Sequence, residues 1–250
     1  MKAQKKSALV TGSASGIGKA VAETFVRQGY SVMGLDCAPM PADLLDQNYL
    51  QLDLQQFVEN ASLRAQTLNT IKQHLSGAGL SVLVNNAAVQ LLGGADTLTS
   101  ADWQRTLHVN LLAPFFLTQG LLPELEMVRG CVINISSIHA RLTKANFVAY
   151  ATSKAALSGM TRALAVDLGG RVRINAIEPA AIATDMLKDG FEGRSEQLTK
   201  LENCHPQGRI GTPHEVAALA LSMAGGDLRF LHGACVGMDG GISGRLFDPI

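Results

Sequence analysis

The chain has 250 residues, of which 47% are hydrophobic, and its 21 lysines and arginines are balanced by 21 aspartates and glutamates. A neutral chain has no global field that would steer it to nucleic acid or anionic lipid, and this hydrophobic content suits one α/β domain over residues 1–250. No apolar run approaches the ~20 residues that span a bilayer. We therefore expect neither a nucleic-acid partner nor a membrane protein.

The cysteines indicate a reducing compartment and no metal. They lack C-x-x-C spacing and are scattered over the chain, at Cys37, Cys131, Cys204 and Cys235. Reduced thiols of a cytoplasmic protein are the expected state. The apolar stretch near the N-terminus stops at Val10, too short for the core of a signal peptide. His205 follows Cys204, but no second ligand pair lies nearby at zinc-finger spacing, so no metal site is expected.

The N-terminal part of the chain predicts a strand, a glycine-rich turn and a helix. Ser7–Thr11 is a short apolar strand, and a helical pattern runs from Gly16 to about Gln28. The turn between them contains three glycines and ends at Gly18, so its backbone N–H groups can approach a pyrophosphate at the helix N-terminus. An ordinary glycine-rich turn would have the same composition, but strand and helix lie where a dinucleotide site requires them.

The second predicted strand, Ser31–Leu35, ends in Asp36. An acid about 20 residues beyond the glycine turn is expected to bind the ribose 2′-hydroxyl of NAD and to repel the 2′-phosphate of NADP. No arginine or lysine occurs at 11–17 or 34–46 to bind such a phosphate. The alternative is a solvated loop carboxylate. The pattern favours NAD over NADP as the cofactor.

The rest of the chain continues the alternation of strand and helix. Strands are predicted at 49–52, 80–84, 131–135, 172–177 and 231–238, and helices at 57–75, 99–127, 149–168 and from Pro213 onward. This order predicts a doubly wound parallel sheet of about seven strands with right-handed crossovers. Asn110, inside the helix 99–127, is either solvated or buried with partners. Residues 185–205 are interpreted as a lid over the crevice, and 243–250 as a C-terminal tail.

Ser137, Tyr150 and Lys154 are candidates for chemistry. Tyr150 and Lys154 are four residues apart and share one face of a helix, and Ser137 follows a strand, at the end where parallel sheets bind ligands. A tyrosine acting as a base near neutrality needs about 4 kcal/mol of help, which one cation about 4 Å away supplies at an effective dielectric constant of ~20. Lys154 is placed to lower the pKa of Tyr150, although the two could also be a chance pair on a helix.

Taken together, the motifs resemble the short-chain dehydrogenase/reductase family over essentially the whole chain. They are weak singly and specific in combination: Thr11–Gly18, Asp53-Leu54, Asn85-Asn86-Ala87, Asn110, Ser137, Tyr150-x-x-x-Lys154, Asn175, Pro179–Thr184 and Asp239-Gly240-Gly241. The resemblance implies a Rossmann-type fold and an NAD(P)-dependent oxidoreductase that acts on CH–OH groups. It also implies a homotetramer.

The resemblance implies a catalytic tetrad of Asn110, Ser137, Tyr150 and Lys154. Tyr150 would be the acid/base, and Ser137 would orient the substrate oxygen. Lys154 would lower the pKa of Tyr150 and hold the nicotinamide ribose, while Asn110 would anchor the water through which protons reach Lys154. Contacts to the cofactor are implied for Gly12, Ser15, Gly16, Ile17, Gly18, Asp36, Asp53, Leu54, Asn86, Ala87, Tyr150, Lys154, Pro179, Ile182 and Thr184.

Two departures from the family's pattern concern turns. Ala88 and Ala180 stand where the family usually has glycine. Because alanine does not take positive φ cheaply, both turns are expected to be slightly reshaped without loss of cofactor binding. Glu178 is an unusual acid at the nicotinamide end, and it is either a structural residue facing away or a substrate contact.

Candidate substrate contacts are Gln90, His139, Arg141, Phe147 and Glu178. The basic residues of this set, with Lys144, would suit an anionic or polyhydroxylated substrate, although basic loop residues are often simply solvated. Because Asp36 favours NAD and hence oxidation, we expect a dehydrogenase of a sugar, a polyol or a hydroxy acid. The alternatives are a 3-oxoacyl-thioester reductase and, in another class, an NAD-binding regulator without turnover, which the intact tetrad disfavours.

Overall fold

Seven strands form one parallel sheet in the computed structural model, which describes residues 5–43, 48–184, 187, 190–191 and 193–246. The strands are β1 (Ser7–Thr11), β2 (Ser31–Asp36), β3 (Asn48–Gln51), β4 (Val82–Asn85), β5 (Cys131–Ile135), β6 (Arg173–Pro179) and β7 (Cys235–Met238). Their order across the sheet is β3-β2-β1-β4-β5-β6-β7, and neighbouring strands run parallel. The order reverses between β1 and β4, which opens a crevice at the carboxyl ends of these strands. The predicted doubly wound sheet is confirmed.

Helices pack on both faces of the sheet. They are α1 (Gly16–Arg27), α2 (Leu54–Glu59), α3 (Ala61–Leu75), α4 (Ser100–Leu107), α5 (Ala113–Gly120), α6 (Leu122–Met127), α7 (Val148–Leu168), α8 (Ser195–Cys204) and α9 (Pro213–Ala224). A π-helical turn at His108–Leu112 joins α4 to α5. Short 3₁₀ turns lie at Ile138–Ala140, Gly226–Leu228 and Ile242–Gly244.

The alternation of side chains along the strands divides the core in two. Ala8 and Val10 of β1 face α1 and α9, whereas Leu9 between them faces α2, α3 and α5. Both sets are buried, because successive side chains of a strand point to opposite faces and helices cover each face. This double burial accounts for the continuous apolar runs that predicted the strands.

Three predicted elements differ from the structure. The predicted helix 57–75 is two helices, because Asn60 ends α2 and its side chain caps α3 by accepting a hydrogen bond of 3.0 Å from the amide of Leu63. The predicted helix 99–127 is divided by the π turn and again near Leu121. The last strand begins at Cys235 rather than at residue 231, since Gly233 has a φ of +72° and interrupts the extended chain.

The predicted start of α9 is confirmed in detail. Thr212 accepts a hydrogen bond from the amide of Glu215, and the carboxylate of Glu215 accepts one of 2.8 Å from the amide of Thr212, which forms a capping box. Within the described ranges, no helix is long and apolar enough to cross a membrane.

Candidate active site

Ser137, Tyr150 and Lys154 lie together at the carboxyl end of β5. Ser137 follows β5 by two residues, and its hydroxyl is close enough to the phenol of Tyr150 to lower the pKa of that phenol. Lys154 is buried one turn after Tyr150 in α7, with its Nζ 5.7 Å from the centroid of the tyrosine ring. This Nζ donates a hydrogen bond of 2.8 Å to the carbonyl of Ile135. The three groups that the sequence predicted to meet are adjacent.

Burial acts on the pKa values of Tyr150 and Lys154 in opposite directions. The pKa of Tyr150 is raised, because burial disfavours the phenolate and the hydrogen bond from Ser137 offsets only part of this effect. Burial lowers the pKa of Lys154 to about 8. Desolvation of the phenol sets the net direction in this structure, and the lowering of the Tyr150 pKa by Lys154 stays a prediction. Below pH 8 the lysine still supplies a cation beside the phenol.

Asn110 is buried with partners, which decides between the two sequence alternatives. It lies in the π turn, where the amide of Ala113 donates to the carbonyl of His108. Its Oδ1 accepts from the amide of Val89 at 2.8 Å, and its Nδ2 donates to the carbonyl of Val89 at 2.9 Å and to Ser153 Oγ at 3.0 Å. Asn110 thus joins the segment after β4 to α7. No pattern in the sequence indicated the π turn.

Glycines leave the turn between β1 and α1 without room for side chains. Gly12 and Gly16 have φ values of +68° and +54°. A Cβ on Gly18 would lie 1.9 Å from the carbonyl oxygen of Gly12, and a Cβ on Gly12 would lie 2.7 Å from Nδ2 of Asn86. The backbone of the turn therefore stays accessible to a ligand.

The N-terminus of α1 differs from those of the helices that carry side-chain caps. Its N-cap residue, Ser15, makes no capping hydrogen bond, and no acidic residue lies in the first turn. In contrast, side chains cap α2, α3, α4 and α9 at Asp53, Asn60, Thr99 and Thr212. The first turn of α1 thus carries no acidic side chain of its own, as suits an anion-binding N-terminus. These residues fit the pyrophosphate of a dinucleotide.

Asp36 lies at the predicted position beside the glycine turn. Its Oδ2 accepts from the amide of Ala14 at 3.0 Å, and its Oδ1 accepts from the amide of Ala38 at 3.0 Å. Lys19 lies just outside residues 11–17, a stretch without lysine or arginine. It forms an ion pair of 2.6 Å with Asp43. The cation nearest in sequence to the turn is therefore paired with an acid.

The other predicted cofactor residues have structural contacts of their own. Asn86 Nδ2 donates to the carbonyls of Thr11 (2.9 Å) and Gly12 (3.2 Å), and the amide of Ala87 donates to Thr11 Oγ1 at 3.0 Å. These bonds tie the end of β4 to the glycine turn. Leu54 is buried in the core behind Asp53, the N-cap of α2.

The segment after β6 approaches the glycine turn. Ile182 is buried and bridges Gly211, and the side chain of Thr184 lies 3.1 Å from the place a Cβ on Gly16 would occupy. Pro179 ends β6, and Ser15 and Ile17 lie in and next to the turn. Contacts of these residues with a cofactor stay predictions.

His139 and Phe147 lie beside Tyr150. The ring of His139 stacks on Phe147 at 4.5 Å between centroids, and both rings meet Tyr150 edge-on, at 5.7 Å and 6.1 Å. Lys144 lies 4.6 Å from the centroid of Phe147. Burial and the charge of Lys144 lower the pKa of His139. Gln90 is exposed. The sequence did not predict that these rings form one cluster.

Arg141 and Glu178 contact each other. Glu178 is 1% exposed, and its Oε2 lies 2.8 Å from Nε of Arg141. Its Oε1 accepts a hydrogen bond of 2.8 Å from Ser158 Oγ. The structure thus gives both residues a contact within the chain, and their predicted contact with a substrate stays untested.

Alanine does not strain the two turns in which the family usually has glycine. Positive φ at non-glycine residues occurs within the described residues at Ser76, Arg129 and Asn146, and neither Ala88 nor Ala180 is among them. The two alanines therefore do not need the backbone conformation that glycine permits.

The predicted lid and tail are only partly described. Residues 185–186, 188–189, 192 and 247–250 lie outside the described residues, and α8 forms the ordered part of the segment 185–205. A cavity of about 310 Å³ lies between residues 180–182, the segment His205–Gly211 and the turn at 237–241. Over the described ranges, no three histidine, cysteine or acidic side chains are grouped as metal ligands would be.

A doubly wound parallel sheet, an accessible glycine turn and a Ser-Tyr-Lys group at its carboxyl edge define a Rossmann-type oxidoreductase. Comparison with known proteins agrees: residues 12–243 match the family described as Enoyl-(Acyl carrier protein) reductase. The chain belongs to the short-chain dehydrogenase/reductase family, whose members use nicotinamide cofactors.

Curated relatives span nearly the whole chain. Protein FixR of Bradyrhizobium diazoefficiens is 35% identical, over 95% of this chain and 87% of its own. The 3-oxoacyl-[acyl-carrier-protein] reductase FabG of Thermotoga maritima is 33% identical, over 97% of this chain and 99% of its own. D-threitol dehydrogenase of Mycolicibacterium smegmatis is 32% identical, over 94% and 92%. The relatives thus include a polyol dehydrogenase and an acyl-thioester reductase.

Solved structures share the fold. The ligand-free aldohexose dehydrogenase of Thermoplasma acidophilum has a TM-score of 0.90 and 30% identity, over 99% of this chain and 97% of its own. ElxO with NADP bound has a TM-score of 0.86 and 26% identity, over 96% and 100%. Similarity of fold therefore extends to a sugar dehydrogenase and to an enzyme that holds NADP.

Proposed function

We propose that the protein is an NAD(H)-dependent dehydrogenase that oxidises a secondary alcohol of a small polar substrate, a sugar, a polyol or a hydroxy acid. The observation that carries the reaction type is the buried Lys154 ammonium 5.7 Å from the centroid of the Tyr150 ring, with Ser137 at the end of β5 close enough to act on the phenol. A phenol, a hydroxyl and a cation at the crevice are the groups needed to move a proton at a carbinol oxygen.

Each residue of the tetrad has a task in this proposal. Ser137 hydrogen-bonds the substrate oxygen, and Tyr150 takes the proton as the alcohol is oxidised. Lys154 supplies a positive charge that stabilises the ionised form of the buried Tyr150 phenol. Both amide hydrogens of Asn110 are used by Val89 and Ser153. If Asn110 also holds a water molecule, the water must therefore bind an Asn110 atom other than these two hydrogens.

The glycine turn, the uncapped N-terminus of α1 and Asp36 would hold the dinucleotide. When bound, the nicotinamide accepts the hydride that leaves the carbinol carbon. The preference for NAD is supported by the carboxylate of Asp36, which is fixed against the amide of Ala14. A 2′-phosphate at that place would meet a negative charge, and Lys19 is already paired with Asp43.

The substrate class rests on both the loop residues and the relatives. His139 and Lys144 offer a hydrogen-bonding and a cationic group next to Tyr150, which suits a polyhydroxylated or acidic substrate. Dehydrogenases of a sugar and of a polyol are among the similar proteins. A second candidate, reduction of a 3-oxoacyl thioester, is favoured by the similarity to the FabG reductase.

The decisive experiment is a substrate panel with dialysed protein. Sugars, polyols, hydroxy acids and a 3-oxoacyl thioester are tested with NAD(H) and NADP(H) in both directions. The proposal expects NAD-linked oxidation of a sugar, polyol or hydroxy acid. NADPH-linked reduction of the thioester as the fastest reaction would replace it by the second candidate. Tight NAD binding without turnover on the whole panel would favour a regulator instead.

We further propose that the domain over residues 1–250 assembles as a homotetramer in the cytoplasm. Exposed apolar side chains support the assembly: Val148, Val166, Leu228 and Phe230 lie at the surface, on α7 and before β7. Leu111, Phe115 and Phe116 are half-buried. The four free cysteines are consistent with reducing surroundings. Light scattering at micromolar concentration tests the assembly, and a monomer would contradict it.

A further inference from the structure

Glu178 is a buried carboxylate that the proposed chemistry does not use. It lies at the carboxyl end of β6, and its side chain is almost wholly inaccessible. A buried charge requires compensation, and here Arg141 gives an ion pair of 2.8 Å to one oxygen while Ser158 donates a hydrogen bond of 2.8 Å to the other. We call the ion pair the Arg141–Glu178 clasp.

One side of the carboxylate connects to the catalytic helix. Ser158 belongs to α7, and its Oγ lies 2.9 Å from Oγ of Ser136. Ser136 in turn donates a hydrogen bond of 3.0 Å to the backbone carbonyl of Lys154. The two hydroxyl hydrogens are used by Glu178 and by the carbonyl of Lys154, and the two hydroxyl oxygens are in contact, so Glu178 packs close to the turn of α7 that carries Tyr150 and Lys154.

The other side of the carboxylate connects to the loop between β5 and α7. The guanidinium of Arg141 lies over Gly237, the residue of β7 paired with Glu178, and a Cβ at that glycine would lie 3.0 Å from Nη2 of Arg141. Gly237 thus provides the space that the guanidinium occupies. The clasp joins β6 to the loop at a point where β7 has no side chain.

This loop, residues 138–147, has few other anchors. At its start, the amide of His139 donates to Ser137 Oγ at 3.2 Å, and at its end the carbonyl of Asn146 accepts from the amide of Gly93 at 2.8 Å. Residues 141–146 between these bonds are exposed. The middle of the loop is therefore held to the sheet through Arg141, and the loop carries the His139 and Phe147 rings that lie against Tyr150.

We propose that the Arg141–Glu178 clasp is a positioning pair of the substrate site: it holds loop 138–147 so that His139 and Phe147 form one wall beside Tyr150. Loss of the clasp should weaken substrate binding and leave NAD binding unchanged, because the glycine turn and Asp36 do not contact this loop. The kinetic part of this inference rests on the proposed function. The part that concerns loop order does not.

Arg141→Leu is the main test, with Arg171→Leu as the matched control. The Arg171–Glu126 pair has an N···O distance of 2.7 Å and an arginine that is 53% exposed, as Arg141 is, but it lies away from the loop. The double variant Arg141→Leu/Glu178→Leu removes both charges. Replacing a buried pair by apolar side chains avoids the unpaired carboxylate that the single variant leaves.

Amide hydrogen exchange and kinetics are measured on all variants. In Arg141→Leu, exchange in residues 138–147 should become at least tenfold faster while exchange in residues 12–18 is unchanged. KM for the substrate found in the panel should rise about tenfold with the Kd for NAD within twofold, and Arg171→Leu should match the parent protein. The double variant should regain the melting temperature that Arg141→Leu loses and keep both the fast exchange and the raised KM.

Two results would overturn the clasp. One is unchanged exchange in residues 138–147 of folded Arg141→Leu. The other is a double variant in which loop exchange and KM return to parent values together with the melting temperature, which would make the pair a support of stability alone. If loop exchange is fast in Arg141→Leu but the parent protein turns over no substrate of the panel, the clasp is supported and the proposed function is rejected. If Arg141→Leu does not fold, Glu178→Gln, which keeps the shape of the side chain, is measured by the same exchange experiment.

Discussion

The two ends of the crevice are built by different means. At the glycine turn, a contiguous motif carries the tight backbone: Gly12 and Gly16 have positive φ, and a Cβ on Gly18 would lie 1.9 Å from the carbonyl oxygen of Gly12. At the substrate end, the loop 138–147 is held by residues far away in sequence, among them Glu178 and Gly93. A local motif can therefore predict the nucleotide end, whereas the substrate end depends on the tertiary fold. Gly18→Ala and Asp36→Ala below test the nucleotide end, and Tyr150→Phe tests the substrate end.

The largest effect on the nucleotide end is expected from Gly18→Ala. The added Cβ would lie 1.9 Å from the carbonyl oxygen of Gly12, so the backbone of the turn must move. Overpacking costs about 3 kcal/mol at the upper end of its usual range, and the Kd for NAD should rise roughly a hundredfold. Titration of NAD measures it.

Gly29→Ala is the matched control for that substitution. Gly29 also lies at one end of α1, has a φ of +81° and would place its Cβ in open space. It should lower the free energy of unfolding by about 1 kcal/mol and leave the Kd for NAD unchanged. Equal losses of NAD affinity in the two variants would contradict the close-contact account of the turn.

The second-largest effect is expected at the substrate end, where Lys154→Met should lower turnover. A unit charge 5.7 Å from the ring contributes about 3 kcal/mol to the phenolate at an effective dielectric constant of ~20, so turnover should fall roughly a hundredfold at neutral pH. Steady-state rates of the parent and the variant give the ratio. A variant that keeps more than half of the parent turnover would show that the cation is not needed.

The same variant predicts a change in the pH dependence of stability. Lys154 has a pKa of about 8 when folded and 10.5 as a free side chain, so between these values the unfolded chain binds the additional proton. The contribution of this group to stability should therefore increase as pH rises from about 8 to 10.5. The difference in unfolding free energy between parent and Lys154→Met, measured by denaturation at several pH values, should show this rise. A difference that is flat with pH would contradict the lowered pKa.

A smaller effect is expected from Asp36→Ala, which sharpens the test of the nucleotide end. Hydrogen bonds to a charged group contribute about 1.5–3 kcal/mol, so the preference for NAD over NADP, taken as the ratio of their Kd values, should fall at least tenfold. Asp167→Ala is the control, because Asp167 is an exposed acid near the C-terminal end of α7. Tighter binding of NADPH than NADH by the parent protein would refute the assignment of NAD.

The doubly wound sheet and the glycine turn were predictable because they depend on local pattern. Strands β1 and β5 have the predicted bounds, and α9 begins at Pro213 as predicted. The π turn at His108–Leu112 was not predictable, since it depends on Asn110 bonding to Val89 and Ser153. Neither was the clasp, whose partners are on different elements. The direction of the Tyr150 pKa also depends on burial, which spacing along a helix does not reveal.

The smallest effect is expected from Thr212→Ala, at the N-terminus of α9. Loss of an N-cap side chain costs about 1 kcal/mol, so stability should fall by that amount while kcat, KM and the Kd for NAD stay at parent values.

The hydrogen bond from Arg209 and those from Thr212 lower the pKa of Glu215 to about 2. The contribution of Glu215 is thus complete above pH 4.5 and is lost as the pH falls towards 2. Chemical denaturation at pH 7 and pH 3 measures both, and a change in kcat would contradict the separation of this cap from the site.

The most direct test of the central claim is the turnover of Tyr150→Phe beside its affinity for NAD. The substitution removes the phenolic oxygen and keeps the ring against His139 and Phe147, so the wall of the site is preserved. General acid–base catalysis contributes about 10²–10⁴-fold, so turnover should fall at least a hundredfold while the Kd for NAD stays within about threefold of the parent value. A variant that keeps more than about a tenth of the parent rate would contradict the assignment of Tyr150 as the residue that transfers the proton.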